Sequence, residues 1–105
     1  MKENDLELFQ LFAKQLKQII PEAVVWAFGS RTRGDANFLS DYDILVILPW
    51  IDPKQKKIIS EIAWEISYEN EIVISPIVYS KERFHYPAIQ KSALIQNIYQ
   101  DGILI

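Results

Sequence analysis

The sequence predicts an α/β fold of the α+β kind, in which a small mixed sheet of three to four strands packs with helices. Two long segments carry apolar residues at helical spacing, two short apolar runs are typical of buried strands, and turn residues separate these segments. The predicted order is α-β-α-β-α-β-α. A length of 105 residues fits one domain that spans residues 1–105.

The first predicted helix begins at Asn4, because Glu7 three positions later completes the pattern of a capping box. Apolar side chains then recur on one helical face as far as Ile20, and Pro21 ends the helix. Residues 23–28 follow as an uninterrupted apolar run, which is typical of a buried strand. The chain therefore opens with a helix and an inner strand.

The middle of the chain is predicted to hold a turn with a short helix capped by Ser30, then a strand over residues 41–48. A second long helix begins with Asp52 at its cap and Pro53 at its first helical position. Its predicted core face consists of Ile58, Ile59, Ile62, Ala63 and Ile66.

The last third is predicted to contain a strand over residues 71–79, in which Pro76 indicates a sheet edge or a bulge. A helical region follows from Ser80, its predicted cap, to about Gln100. Residues 103–105 can add a short final strand. These elements complete a sheet that is covered by helices.

Composition excludes several classes of protein. The net charge of −3 and a pI near 5.1 disfavour a protein that depends on non-specific attraction to nucleic acid. The chain has no cysteine, so it can form neither a disulfide scaffold nor a thiolate metal site. No signal peptide or membrane span is visible, and we expect a cytoplasmic location.

The most informative segment joins a Gly-Ser turn to an Asp-x-Asp pair. Gly29 lets backbone approach a phosphate closely, Ser30 offers an amide and a hydroxyl to phosphate oxygens, and Gly34 keeps the facing turn free of side chains. Asp41 and Asp43 alternate along a strand, so they share one face about 6–7 Å apart. Two such carboxylates suit Mg²⁺. The segment can therefore hold a nucleoside triphosphate and its metal side by side.

The spacing of this segment resembles the nucleotidyltransferase superfamily that includes polymerase beta and kanamycin nucleotidyltransferase. Gly29-Ser30, ten intervening residues and Asp41-Tyr42-Asp43 match the signature of its minimal prokaryotic branch, whose members are antitoxins of small helical HEPN proteins. The resemblance implies a nucleotidyltransferase fold and Mg²⁺-dependent transfer of a nucleoside monophosphate, AMP from ATP above all, to a hydroxyl. In this branch it also implies adenylylation of a tyrosine on the HEPN partner.

Site residues follow from the resemblance position by position. Asp41 and Asp43 become catalytic and metal-binding. Those that would bind the nucleotide are Gly29, Ser30, Arg31, Arg33, Gly34 and Ser40. The family places a third carboxylate on the next strand, and Glu71, at the predicted start of that strand, is the only acid available. Either Glu71 substitutes, the acceptor or partner supplies a base, or catalysis is weakened.

Alternatives remain open at this point. A chain with weakened catalysis could retain nucleotide binding and neutralise a toxin by contact alone. A minimal domain could also need a second subunit, another copy of itself included, to enclose its substrate. A serine hydrolase is disfavoured because no Gly-x-Ser-x-Gly elbow exists, and the lone His85 fits a surface or half-buried position.

Overall fold

The computed structural model describes all residues, 1–105, as a four-stranded sheet with six helices. The helices are α1 (Glu3–Ile19), α2 (Ser30–Arg33), α3 (Pro53–Asn70), α4 (Lys81–Phe84), α5 (Pro87–Gln90) and α6 (Ala93–Asp101). The strands are β1 (Val24–Phe28), β2 (Tyr42–Leu48), β3 (Ile74–Ser80) and β4 (Ile103–Leu104). The predicted α+β class and its mixed sheet are confirmed.

The strands lie in the order β3-β2-β1-β4, so β2 and β1 form the interior of the sheet. β1 pairs antiparallel with β2 and β4, whereas β2 and β3 run parallel and are connected through α3. The register places Phe28 of β1 and Ser75 of β3 opposite Asp43 of β2. Asp43 therefore sits between two strands at the beginning of β2.

Helices cover both faces of the sheet. On one face, α1 and α3 bury Phe9, Phe12 and Ile66 against alternate residues of β2, from Tyr42 to Leu48. On the other face, α4 and α6 pack on Leu45 and Ile47. Strand alternation places Asp43 on this second face, as predicted. The site therefore faces the smaller cluster of helices.

Two predicted caps are wrong. Helix α1 begins at Glu3 after Lys2, so Asn4 lies inside the first turn and cannot act as its cap. Helix α2 has Gly29 as its N-cap and Ser30 as its first helical residue, and no side chain caps it. A side chain at the cap would collide with Asp43, which explains why glycine rather than serine occupies that position.

Other boundaries agree with the sequence or shift for a clear reason. The Asp52 carboxylate accepts a hydrogen bond from the Gln55 amide at 2.7 Å, so the predicted cap of α3 is confirmed. β3 begins at Ile74 instead of Glu71, because Glu71 takes a left-handed conformation with φ of 54° and closes α3. β3 is an outer strand, so the edge position predicted from Pro76 is confirmed.

Within the final helical region, Ser80 caps α4 by accepting from the Arg83 amide at 3.1 Å. The region then divides into three short helices, α4, α5 and α6. None of the helices combines the length and apolar character that crossing a membrane requires.

Candidate active site

A cavity of about 300 Å³ lies where β1 ends and β2 begins. It is lined by Phe28, Gly29, Ser30, Arg33, Asp43, Leu94 and Asn97. The turn after β1 supplies the Gly-Ser pair, β2 supplies the carboxylate, and α6 supplies the opposite wall. The structure therefore brings the predicted Gly-Ser turn and one predicted aspartate into one pocket.

Gly29 meets two requirements that no other residue satisfies together. Its φ of 87° belongs to the region that L side chains rarely adopt. A Cβ added here would overlap Oδ2 of Asp43. The Asp43 carboxylate therefore lies directly over the backbone of the Gly-Ser turn.

The turn itself is closed by hydrogen bonds to the Gly29 carbonyl. The amide and hydroxyl of Thr32 both donate to it, at 3.1 and 2.8 Å. At the other end of α2, Gly34 adopts φ of 85° and its amide donates to the Ser30 carbonyl at 3.0 Å. The first amides of a helix have no acceptor within it, so those at Ser30 and Arg31 can meet an anion.

Asp43 is the acidic residue of the cavity wall, and Asp41, two residues earlier in the chain, lies outside that wall. Asp41 is exposed and Asp43 is half-buried. Burial and, to a lesser degree, the charge of Asp41 raise the pKa of Asp43 above its ordinary value, while Arg33 opposes the shift. This repulsion between two carboxylates is the electrostatic setting that a bound cation relieves.

The two aspartates fit a magnesium ion in part of its coordination shell. Mg²⁺ takes six oxygen ligands and is usually held by one or two carboxylates, with water and phosphate oxygens completing the shell. No cluster of three or more His, Cys, Asp or Glu side chains with metal-binding geometry is present. Two carboxylates would therefore fill part of such a shell and leave the remaining positions to other oxygen ligands.

The two arginines of the motif have different surroundings. Arg33 lines the cavity, is exposed, and pairs with Asp35 at 3.3 Å. Arg31 is buried, with its guanidinium 3.1 Å from the Asp5 carboxylate and 2.9 Å from the Ser40 carbonyl. Of the two predicted phosphate contacts, only Arg33 lies in the pocket.

Asp5 belongs to a buried network that was not predicted from the sequence. Its carboxylate accepts from the Tyr42 hydroxyl at 2.6 Å as well as from Arg31, whose guanidinium lies 4.2 Å from the Tyr42 ring centre. Burial, this hydrogen bond and the charge of Asp5 raise the pKa of Tyr42 to about 12, with Arg31 opposing. Asp5 lies on the buried, apolar face of α1 with Leu8. An acid on such a face was the sequence signal that could have indicated a buried ion pair.

Ser40 and Glu71 lie outside the cavity. The Ser40 carbonyl accepts a hydrogen bond from Arg31, and the Ser40 hydroxyl accepts one from the Asn37 amide at 3.1 Å. Ser40 therefore shapes the loop before Asp41. Glu71 is exposed at the end of α3, and the residue opposite Asp43 on β3 is Ser75. The expectation that Glu71 begins β3 is wrong, because Glu71 closes α3 and the strand begins only at Ile74.

Two wall residues carried no sequence signal. Leu94 and Asn97 belong to α6, far along the chain from the motif, and they reach the cavity because α6 packs across β1 and β2. Only the tertiary fold brings them to the Gly-Ser turn.

A larger cavity of about 670 Å³ lies along the outer side of α3 and includes Ile19, Lys57 and Trp64. It is a surface groove on the opposite side of the sheet from Asp43. Its two acids, Glu61 and Glu65, are exposed on α3, and it contains no turn that could cradle phosphate, so volume alone does not identify the reactive site.

The family model described as a nucleotidyltransferase domain matches residues 10–103. The chain belongs to the nucleotidyltransferase family. This membership confirms the resemblance drawn from the motif and identifies the chain as a nucleotidyltransferase enzyme.

Two relatives of this nucleotidyltransferase carry the name of protein adenylyltransferases. A protein of Methanocaldococcus jannaschii is 37% identical over 81 residues, which cover 72% of this chain and 80% of the relative. The MntA protein of Haemophilus influenzae is 50% identical over 32 residues, covering 30% of this chain and 28% of that protein. The nucleotidyltransferase is thus related to protein adenylyltransferases by sequence.

Solved structures share the fold of the nucleotidyltransferase. A toxin–antitoxin complex with AMP-PNP superimposes with a TM-score of 0.61 at 19% identity, covering 99% of this chain and 72% of that one. A tri-AMPylated HEPN toxin of Shewanella oneidensis in complex with its MNT antitoxin gives 0.57 at 16% identity, covering 95% and 70%. At these identities the comparison shows the fold.

Proposed function

We propose that this protein is a cytoplasmic, Mg²⁺-dependent nucleotidyltransferase that moves AMP from ATP to a hydroxyl group on a HEPN-type protein partner. In this proposal it acts as the antitoxin of a toxin–antitoxin pair. The observation that carries the proposal is the position of the Asp43 carboxylate directly over Gly29 of the Gly-Ser turn. A triphosphate on the turn would lie next to the carboxylates that hold its metal.

The triphosphate would be bound by the turn and one arginine. The amide and hydroxyl of Ser30 and the backbone beside Gly29 offer hydrogen bonds to phosphate oxygens. Arg33, exposed and in the cavity wall, supplies a positive charge. Gly34 ends α2, while Arg31 and Ser40 hold the loop that leads into β2. In this assignment Arg33 contacts phosphate and Arg31 does not.

Asp41 and Asp43 would hold the magnesium ion. When bound, the metal neutralises negative charge that develops on the phosphate oxygens during transfer. The half-buried position of Asp43 keeps one carboxylate fixed at the turn, and exposed Asp41 remains open to substrate. The chain's own contribution is to hold Asp43 on β2 and Asp41 directly before that strand, where the charges of the two carboxylates act on each other.

The proposed reaction is an in-line displacement at the α-phosphorus. A bond forms between the acceptor oxygen and this phosphorus, the bond to the bridging oxygen breaks, and pyrophosphate leaves with the electron pair. The hydroxyl proton ends in water. Because Ser75 rather than an acid lies opposite Asp43, β3 supplies no third carboxylate at this position.

The HEPN-type acceptor is proposed from the relatives. One neighbouring structure holds a HEPN toxin that carries AMP groups beside its antitoxin, and another toxin–antitoxin complex contains AMP-PNP. Both share the fold over almost the whole of this chain. A partner protein would also enclose the open side of the site, where Asp41 is exposed.

The proposal is tested with α-³²P-labelled ATP, Mg²⁺ and lysate of the native host. We expect one protein band to acquire label with wild type and to lose roughly 100-fold or more of its labelling rate with Asp41→Asn or Asp43→Asn. Glu22→Gln, an exposed acid outside the cavity, is the control and should label as wild type does. Retained transfer by Asp43→Asn would disprove the assignment.

A second function, neutralisation of a partner toxin by binding alone, is favoured by one observation, the serine at the position opposite Asp43. The Asp43→Asn variant distinguishes the two functions in cells that express the toxin. Loss of protection supports neutralisation by transfer, whereas full protection supports neutralisation by binding.

A further inference from the structure

The loop between α2 and β2 exposes the most solvent-accessible large apolar side chains of the chain. Phe38 is 86% exposed and Leu39 is 77% exposed. They are adjacent in sequence, and only Ser40 separates them from Asp41. We refer to these two residues as the Phe38–Leu39 tip. Neither side chain lines the cavity that contains Gly29 and Asp43.

The tip is held outward by its own loop. The side-chain oxygen of Asn37 accepts from the Leu39 amide at 2.8 Å, and the Ser40 hydroxyl accepts from the Asn37 amide at 3.1 Å. The Ser40 amide donates to the Asn37 carbonyl at 3.1 Å. These bonds fix the backbone of a tight turn, and both apolar side chains lie in solvent.

Arg31 anchors this turn to the buried part of the molecule. Its guanidinium donates to the carbonyls of Phe38 at 3.4 Å and Ser40 at 2.9 Å, and the same group is paired with buried Asp5. The tip is therefore presented on a fixed base, and binding a partner there would require little ordering of the loop. Low ordering cost favours affinity.

The tip lies close enough to Asp41 to fall within an acceptor interface that is centred on the aspartates. Phe38 is three residues before Asp41, so their Cα atoms are at most about 11 Å apart. A standard interface covers roughly 800 Å² on each partner, a patch about 16 Å in radius. An acceptor interface that is centred on the aspartates therefore covers the tip as well.

We propose that the Phe38–Leu39 tip docks the acceptor protein, by inserting into an apolar groove next to the hydroxyl that receives the nucleotide. This inference rests on the proposed function and adds the surface that selects its partner. Aromatic side chains are enriched at the buried centres of interfaces, where a few residues carry most of the binding free energy. The nucleotide itself has separate apolar walls in Phe28 and Leu94.

The test compares Phe38→Ser/Leu39→Ser with wild type, using labelled ATP and the purified protein that wild type labels in host lysate. We expect KM for the acceptor to rise about 10- to 100-fold, with kcat and the KM for ATP unchanged. The control is Trp64→Ser/Tyr68→Ser, which removes two exposed stacked aromatics from α3 on the other side of the sheet. It should keep the wild-type KM for the acceptor.

Each other outcome overturns the inference in a recognisable way. An unchanged KM for the acceptor, with wild-type transfer intact, overturns the docking role alone. A raised KM for ATP places the tip against the nucleotide, and loss of self-association without a change in acceptor KM places it between two copies of this chain. Failure of wild type to label any protein overturns the proposed function, and this inference with it.

Discussion

At the scale of single residues, Gly29 links backbone geometry to the chemistry of the site. Its positive φ creates the turn, and its missing side chain leaves the space that the Asp43 carboxylate occupies. Gly34 has nearly the same φ, of 85°, but open space around its missing Cβ. Gly29 is therefore required both for its backbone conformation and for the space that Asp43 occupies, whereas Gly34 is required for its conformation alone.

We expect Gly29→Ala to lower the unfolding free energy by about 1–3 kcal/mol and to reduce transfer roughly 100-fold, because the new Cβ displaces Asp43. Gly34→Ala should cost similar stability but a much smaller part of the transfer rate. Urea unfolding and initial rates of labelling measure both effects. Equal losses of activity in the two variants would contradict the role of Gly29.

The charge on Asp43 is expected to destabilise the metal-free protein. Its pKa is raised in the folded state, so it contributes stability at acid pH and loses that contribution as pH rises through the folded pKa. Asp43→Asn should therefore increase Tm by a few degrees at neutral pH in the presence of a chelator, with the difference fading in acid. Thermal scans between about pH 4 and pH 8 measure this.

Magnesium provides the second half of this experiment. It should raise the Tm of wild type, because it binds only the folded site, and should leave Asp43→Asn unchanged. Glu22→Gln, which is exposed, should respond as wild type does. If Asp43→Asn proves less stable than wild type without metal, the charge on Asp43 does not destabilise the metal-free protein.

At the scale of secondary-structure elements, one buried ion pair joins three parts of the chain. Asp5 lies on α1, Arg31 on α2 and Tyr42 at the start of β2, and Arg31 reaches the loop that leads to Asp41. Breaking a buried pair leaves a charge without a partner, which costs more than the pair contributes. The arrangement therefore ties the position of the site to the first helix.

Arg31→Lys keeps the charge but loses the planar fork that bonds Asp5 and two carbonyls. We expect it to destabilise the protein by roughly 1–3 kcal/mol, and Asp5→Asn to do the same. Because the residues touch, the double variant should lose less than the sum of the singles, by about 0.5–3 kcal/mol. Urea unfolding of the four proteins measures this coupling, and additive losses would show that the pair is not coupled.

The sequence predicted the elements well where local signals agree with tertiary packing. Asp52 and Pro53 identified the start of α3, and the strand predicted over residues 41–48 is β2, Tyr42–Leu48. It failed where local signals compete. Asn4 offered a capping pattern two residues too late, and Glu71 was predicted as a strand residue although it closes a helix.

For the site, local sequence identified the residues that the chain brings together within a short span. Gly29, Ser30, Arg33 and Asp43 line one cavity, as expected of a motif whose spacing suits one turn between two paired strands. Leu94 and Asn97 depend on how α6 crosses the sheet, which local sequence does not specify. The burial of Arg31 depends on Asp5, which precedes it by most of α1 and all of β1.

At the scale of the whole molecule, the sheet separates a large helical layer from a small one. The large layer of α1 and α3 forms the main core, whereas the small layer around Ile95 and Ile98 also supplies a wall of the site. The smaller helical layer therefore contributes both to the stability of the fold and to the wall of the site. Residues of α6 that lie one turn apart can serve the two purposes separately.

We expect Ile98→Ala to lower the unfolding free energy by about 2–4 kcal/mol, since this side chain is fully buried in the small core. Leu94→Ala, which is half-buried at the cavity, should cost less stability but raise the KM for ATP several-fold. Unfolding and steady-state kinetics distinguish these effects. An unchanged KM for Leu94→Ala would remove α6 from the nucleotide site.

The pairing of Phe28 with Asp43 has a consequence for how such proteins diversify. The pairing of β1 with β2, and not the loop between them, places the Asp43 carboxylate over Gly29. A shift of this register by one residue would point the Asp43 side chain into the main core. Phe38 and Leu39 lie outside this pairing. If the tip docks the acceptor as proposed, its residues can therefore change to suit another partner without moving the Gly-Ser turn or Asp43.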